Sequence, residues 1–161
     1  MALKNDRYEA ITDISFFMDQ EVERGGVVSM KTAGSGVAMD QSEAEVEYKV
    51  SASGSHPLGL LLNDVVNKDL TRTHMNFHKN EMQKGGKVTV LLEGHVVTNM
   101  IQAGTTPTVG QRAYVGISGN LATAAVSDDD AATQSSIAVG RFLSTKDEDG
   151  YCKVYIKMPA S

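Results

Sequence analysis

The sequence has few of the residues on which disulfide-bonded and aromatic-rich proteins depend. Its 161 residues include one cysteine, three prolines and no tryptophan, and its bulky aromatic side chains are five tyrosines and four phenylalanines. A single cysteine excludes a disulfide framework within the chain. Because a chain of this length buries roughly 70 % of the surface that its unfolded form exposes, it needs neither a disulfide nor a metal to fold.

Long hydrophobic runs and clusters of positive charge are also scarce. Apolar runs such as residues 60–62 are far shorter than the roughly 20 residues of a membrane-spanning helix. The first eight residues mix charges and lack the apolar stretch of a secretory signal. The net charge is -5 and the basic residues are scattered, so neither nucleic acid nor an anionic membrane is an expected partner. We therefore expect a soluble protein made in a reducing compartment.

What the chain does contain is typical of short β-strands joined by tight turns. Valine occurs 17 times, glycine 15 times and threonine 12 times. Residues 43–50 alternate charged and apolar side chains, which predicts a half-buried strand with Ala44, Val46, Tyr48 and Val50 on one face. Residues 58–62 predict a buried strand, and residues 87–98 predict two strands hinged at Glu93-Gly94. The sequence thus predicts an all-β fold, a small barrel or sandwich of short antiparallel strands.

The glycines also follow a similar order in the two parts of the chain. Gly26 and Gly36 are 10 residues apart and Gly110 and Gly119 are 9 apart, while Gly59 and Gly140 follow the first of each set by 33 and 30 residues. The next spacings, to Gly86 and Gly150, are 27 and 10 residues. The excess falls in residues 63–84, for which we expect an irregular or partly helical excursion. Either residues 21–100 and 101–161 are a duplication, or glycine-rich hairpins mimic one.

The amino-terminal segment is unusually rich in large apolar side chains. Such density near a terminus predicts that the segment docks onto something rather than remaining free. We interpret residues 1–20 as an arm, residues 21–161 as the β-domain, and Phe16 and Phe17 as the anchors of the arm, because aromatic side chains dominate interface energetics. The alternative is that Phe16 and Phe17 lie in this protein's own core. The candidate contact residues are Tyr8, Ile11, Ile14, Phe16 and Phe17.

No motif with a catalytic mechanism is present. The sequence contains no Gly-x-Ser-x-Gly elbow, no Walker loop and no dinucleotide fingerprint. On a helix, His74, His78 and Glu81 would share a face that could bind zinc, but the glutamate that zinc hydrolases carry between the two histidines is absent. Residues 128–130 are aspartates without the alternate spacing of a calcium loop. We expect no enzyme activity, no cofactor and no metal, and interpret His56 and His95 as turn residues and Cys152 as a small strand residue.

From Gly86 onward, the chain carries an ordered series of strands and turns. A strand over residues 86–94 is followed by Pro107-Thr-Val-Gly110 and an apolar-Tyr strand at Tyr114. A hairpin at Gly119, a Val139-Gly140 strand and a closing strand around Val154 complete the series. This order resembles that of tailed-bacteriophage capsid decoration, or cement, proteins.

The resemblance implies a structural virion protein that binds the outer surface of the capsid and bridges major capsid protein subunits. It also implies a homo-oligomer, with a trimer favoured, that is made in the host cytoplasm and resides on the capsid exterior. The family has no catalytic residues to carry over. Two alternatives stay open: a phage tail, fibre or other ligand-binding β-module without catalytic activity, and an enzyme that uses His74, His78 and Glu81.

Overall fold

A computed structural model describes residues 3–4, 6–32, 44–49, 56–65, 80–124, 126–127, 134–135 and 137–158. Within them the chain is almost entirely β, which confirms the predicted fold class, and its only helical turn is the 3-10 helix Ile117–Gly119. The strands are β1 (Tyr8–Met18), β2 (Val22–Glu23), β3 (Val27–Thr32), β4 (Glu45–Glu47), β5 (Pro57–Asp64), β6 (Glu81–Met82), β7 (Lys87–Thr98), β8 (Arg112–Val115), β9 (Leu121–Ala122), β10 (Val126–Ser127), β11 (Gln134–Ser135), β12 (Ala138–Phe142) and β13 (Cys152–Lys157).

Nine of these strands form one mixed sheet in the order β1-β4-β3-β5-β7-β13-β12-β8-β9. Because β1 also pairs with β7, the first five strands of that order close into a ring. The sequence predicted antiparallel pairing throughout, whereas β1 and β4 are parallel. Turn signals could not reveal this pair, since parallel strands cannot be joined by a tight hairpin. The short pairs β2–β6 and β10–β11 lie outside the large sheet.

The central strand, β7, is a single strand rather than the predicted two strands hinged at Glu93-Gly94. It pairs with β1 along most of its length, with β5 over residues 88–91 and with β13 over residues 93–98. Gly94 has a φ of 152°, and a Cβ at this position would lie 2.1 Å from the carbonyl oxygen of Tyr8. The glycine therefore permits a close approach of β1 within the sheet and does not mark a turn.

The apolar side chains form two clusters that share the central strands. In β5, Leu61 belongs to one cluster while Leu60 and Leu62 belong to the other, because successive side chains of a strand point to opposite faces. The predicted buried residues Ala44, Val46 and Tyr48 are buried, and Val50 lies outside the described residues. The first cluster contains Met18, Val28, Val46, Tyr48, Leu61, Met82, Val88 and Val90. The second contains Leu3, Val27, Leu60, Leu62, Leu91, Val96, Ile101, Ala113, Val115, Leu121, Val139, Phe142, Cys152, Val154 and Ile156.

The large sheet has a symmetric strand order about the β7–β13 pair. On one side the order is β4-β3-β5-β7, and on the other it is β9-β8-β12-β13, so the strands of each set follow the same spatial order. Gly59 in β5 and Gly140 in β12 occupy matching places. A Cβ on Gly59 would lie 2.4 Å from the carbonyl oxygen of Leu91, and one on Gly140 would lie 1.9 Å from that of Tyr155. A duplication would leave this arrangement, and the division into residues 21–100 and 101–161 stays a prediction.

The prediction of an irregular or partly helical excursion at residues 63–84 is wrong at both ends of that range. Asn63 and Asp64 continue β5, where they pair with β7, and Glu81–Met82 is the strand β6. The fully buried Met82 is fixed opposite Val22 of β2, which explains why this short piece is regular. Residues 66–79 lie outside the described part of the chain. In the part that is described, no helix has the length and apolarity needed to cross a membrane.

Candidate interaction surfaces

The amino-terminal segment contributes a strand to the sheet. Residues of β1 pair antiparallel with β7 from Tyr8 to Phe17, and Phe17 and Met18 pair in parallel with β4. Before β1, Leu3 forms a bridge with Thr98 at the end of β7. One edge of β1 is therefore paired with β7 along most of its length, whereas its other edge is paired with β4 only at Phe17 and Met18. The division between an arm of residues 1–20 and a domain of residues 21–161 stays a prediction.

The five candidate contact residues differ in how much of each side chain is accessible. Tyr8 is 62 % exposed, Ile11 is 51 % exposed and Ile14 is 49 % exposed. In contrast, Phe16 packs against the first apolar cluster, and Phe17 is half-buried with the Lys87 ammonium 5.8 Å from the centre of its ring. The accessible apolar surface of the strand consists of Tyr8, Ile11 and Ile14, which we call the β1 surface.

Neighbouring side chains hold Tyr8 in place on the β1 surface. Its ring stacks on His95, with the centroids 6.0 Å apart. His95 Nε2 lies 3.6 Å from Asp6 Oδ1, and Lys153 Nζ donates to Asp6 Oδ2 at 3.2 Å. The hydrogen bond from Lys153 holds the pKa of the Asp6 carboxyl below its usual value. Tyr8 is therefore an exposed aromatic side chain whose stacking partner, His95, is itself held by charged neighbours.

The other end of β1 is held by an ion-pair cluster that the sequence did not reveal. Directly after the strand, the Asp19 carboxylate pairs with Lys31 of β3, and Lys84 Nζ lies 3.3 Å from Asp19 Oδ1. The hydrogen bond from Lys31 lowers the pKa of Asp19. These residues are distant in sequence, so only the pairing of the strands brings them together.

A groove crosses the outer side of β8, β12 and β13. Its volume is about 310 Å³, and we call it the basic groove because three of its lining residues are cationic. Sequence reasoning missed it, since the three cations come from three separate strands. The groove is lined by Arg112, Ala138, Gly140, Arg141, Leu143, Tyr155 and Lys157.

Two of the residues considered for chemistry are structural in this fold. Cys152 is a free, fully buried residue of β13, as predicted, and its Sγ donates to the carbonyl oxygen of Ser144 at 2.9 Å. Burial raises the pKa of this thiol, which lowers its reactivity. The interpretation of His95 as a turn residue is wrong: it lies within β7 and pairs with both Tyr8 and Tyr155. His56 is exposed immediately before β5.

The remaining metal candidates fall largely outside the described residues. This applies to His74, His78 and residues 128–130, while Glu81 lies in β6. In the described ranges, no group of three or more histidine, cysteine, aspartate or glutamate side chains could hold a metal ion.

Two comparisons with known proteins bear on the role of these surfaces. A search of curated proteins found no match. The family model described as structural cement protein (E217 gp24/Pam3 gp6) matches residues 12–157. The match runs from β1 to the end of β13, and so covers both sides of the symmetric sheet as well as the carboxyl-terminal half in which the resemblance was found. The chain belongs to the phage structural cement protein family and is a structural component associated with the virion capsid.

Proposed function

We propose that this protein binds the outer surface of the phage capsid and stabilises the shell by bridging neighbouring major capsid protein subunits. Membership of the structural cement protein family is the observation that carries the proposal. The exposed side chains of Tyr8, Ile11 and Ile14 support it, because they offer apolar contact area on a strand that is paired with β7 along most of its length.

The β1 surface suits binding because its backbone is already ordered. A disordered arm would lose conformational entropy on docking, at about 1–2 kcal/mol for each residue that becomes fixed. A paired strand avoids most of that cost, and burial of apolar surface contributes roughly 25 cal/mol per Å². Three large side chains in one strand therefore make a small but efficient contact.

Bridging requires that each bound unit of the cement protein, whether a monomer or an oligomer, contacts at least two capsid subunits. A homo-oligomer meets this requirement because every copy presents the same surface, and simultaneous contacts raise the overall affinity without any new type of contact. We propose a trimer on the capsid exterior, assembled after synthesis in the host cytoplasm. The nearly all-β fold, in which one sheet contains nine strands, supports this role.

The proposal is tested by adding the purified protein to shells that lack it. We expect the wild type to co-sediment with shells and to raise the temperature at which they disrupt. Replacing Ile11 and Ile14 together with aspartate should weaken attachment at least about tenfold, because each new carboxylate would be desolvated in the contact. The matched control is Val109→Asp, which alters a 69 % exposed apolar side chain outside β1 and should attach normally.

Each outcome has a distinct meaning. Failure of the wild type to attach to shells would contradict capsid binding, and attachment to isolated tails would favour the tail or fibre alternative. Attachment without any rise in shell stability would contradict bridging. Equal loss of attachment in Val109→Asp and in the β1 variant would show that the effect is not specific to the β1 surface.

A further inference from the structure

Two arginines face each other directly across neighbouring strands in the basic groove. Arg141 of β12 pairs with Arg112 of β8, and on its other side Arg141 pairs with Tyr155 of β13. Side chains of directly opposed residues share a face of the sheet, and like charges in that position are destabilising. Both arginines are exposed, and Lys157 lies in the same groove.

The groove cations also lack the carboxylate partners that several other cations have. Within the described part of the chain, Lys4, Lys31 and Lys153 pair with aspartates, whereas Arg112, Arg141 and Lys157 form no ion pair. Glu93 lies opposite Lys157 in register, but its carboxylate accepts a hydrogen bond from the Tyr155 hydroxyl at 2.6 Å. In a protein with a net charge of -5, three cations without an ion pair among the described residues thus lie together in this groove.

Apolar atoms lie beside these cations. Leu143 and Ile137 are each 40 % exposed, and Leu143 and Ala138 line the groove itself. Exposed aliphatic side chains next to guanidinium groups can accept a chain segment that carries both apolar and acidic residues. Arginine is suited to such a partner because its planar donors bind a carboxylate in a bidentate manner.

The basic groove is continuous with the β1 surface. Successive cross-strand pairs join Arg112 to Arg141, Arg141 to Tyr155, Tyr155 to His95 and His95 to Tyr8. Since opposed residues share a face, this row crosses five strands on one side of the sheet. The groove and Tyr8 therefore lie on the same side of the sheet, where a single large partner can contact both.

We propose that the basic groove binds an extended, carboxylate-bearing segment of a capsid subunit, with its carboxylates on Arg112 and Arg141 and its apolar side chains against Leu143 and Ala138. This inference rests on the proposed function, because it assigns the chemistry of the capsid contact. Two observations favour this occupant. The positive charge of the groove is complementary to carboxylates, and the groove is continuous with the β1 surface, which we propose contacts the capsid. The bound carboxylates also relieve the repulsion between the two arginines.

The decisive variant is Arg141→Glu. The new carboxylate stands opposite Arg112, so it forms a cross-strand ion pair that removes most of the positive charge of the groove while leaving the fold at least as stable. We expect its affinity for shells to fall about 10- to 100-fold, with a thermal midpoint no lower than that of the wild type. Lys146→Glu makes the same change in net charge outside the groove and should attach as the wild type does. Arg141→Lys keeps the charge without the bidentate geometry and should lose less than Arg141→Glu.

A second measurement tests the groove without shells. Hexaglutamate is titrated into the wild type and into Arg141→Glu at low salt, and amide chemical shifts are followed. We expect saturable shifts in β8, β12 and β13 of the wild type, which disappear in the variant and weaken as salt is added.

The two measurements separate failure of this inference from failure of the proposed function. If the wild type attaches to shells and Arg141→Glu attaches equally well, the inference is overturned while the proposed function stands. If hexaglutamate binds at the groove but no protein attaches to shells, it is capsid binding that fails. Loss of self-association in Arg141→Glu, with shell attachment unchanged, would place a second copy in the groove and overturn the choice of partner.

Discussion

At the scale of single residues, Tyr48 joins the segment between β2 and β3 to the 3-10 helix that ends at Gly119. Its buried hydroxyl donates to the carbonyl oxygen of Glu23 and accepts from the amide of Gly26, each at 2.9 Å, and its ring approaches the backbone of Gly119. Burial raises the pKa of this hydroxyl, which stays protonated. Tyr48→Phe should lower the free energy of unfolding by about 1–3 kcal/mol, because two buried backbone groups lose their partner. Urea denaturation measures the loss.

The matched control for Tyr48 is Tyr114→Phe. Tyr114 is a half-buried residue of β8, and its hydroxyl has no hydrogen-bond partner among the described residues. We expect its replacement to change the free energy of unfolding by less than about 0.5 kcal/mol. Equal losses in the two variants would refute the role assigned to the Tyr48 hydroxyl.

At the scale of elements, the attachment of β1 depends on pH through Asp19. The partners of Asp19 depress its pKa in the folded state, so the stabilisation is fully present above the ordinary pKa of an aspartate and is lost as the pH falls through the depressed value. We expect amide exchange in β1, corrected for its intrinsic pH dependence, to accelerate relative to β13 as the pH is lowered from 5 to about 2. Asp19→Asn should show this weaker protection of β1 already at neutral pH.

Comparison with β13 and with the Asp19→Asn variant makes the predicted release of β1 specific. A uniform loss of protection in β1 and β13 would indicate global acid unfolding rather than release of one element. If Asp19→Asn keeps the wild-type protection of β1 at neutral pH, the ion pairs with Lys31 and Lys84 do not hold the strand.

Elements with a local signature in the sequence were predicted better than their partners. The continuous apolar run of β5 and the alternation through β4 are properties of adjacent residues, and both strands occur where expected. The parallel β1–β4 pair and the opposition of Arg112 and Arg141 depend on residues far apart in the chain. Local periodicity contains no information about such pairs, so the basic groove could not be predicted from the sequence.

At the scale of the whole molecule, the two apolar clusters should unfold together. Leu61 and Leu60 are adjacent residues in different clusters, as are Val90 and Leu91, so neither cluster can open without disturbing β5 and β7. We expect a single calorimetric transition in which the calorimetric and van't Hoff enthalpies of unfolding agree, as for a two-state domain. Two resolved transitions would show that the two sides of the symmetric sheet are separate folding units.

The pairing pattern of β7 has a consequence for biosynthesis. During translation, β1 and β5 leave the ribosome before β7, whereas β13 is made more than fifty residues after it. Until then, the valine-rich second half of β7 lacks the neighbour that completes it, and an unpaired apolar strand is prone to associate with other chains. Recombinant production should therefore benefit from slow synthesis at low temperature, which limits the number of nascent chains that expose this strand at the same time.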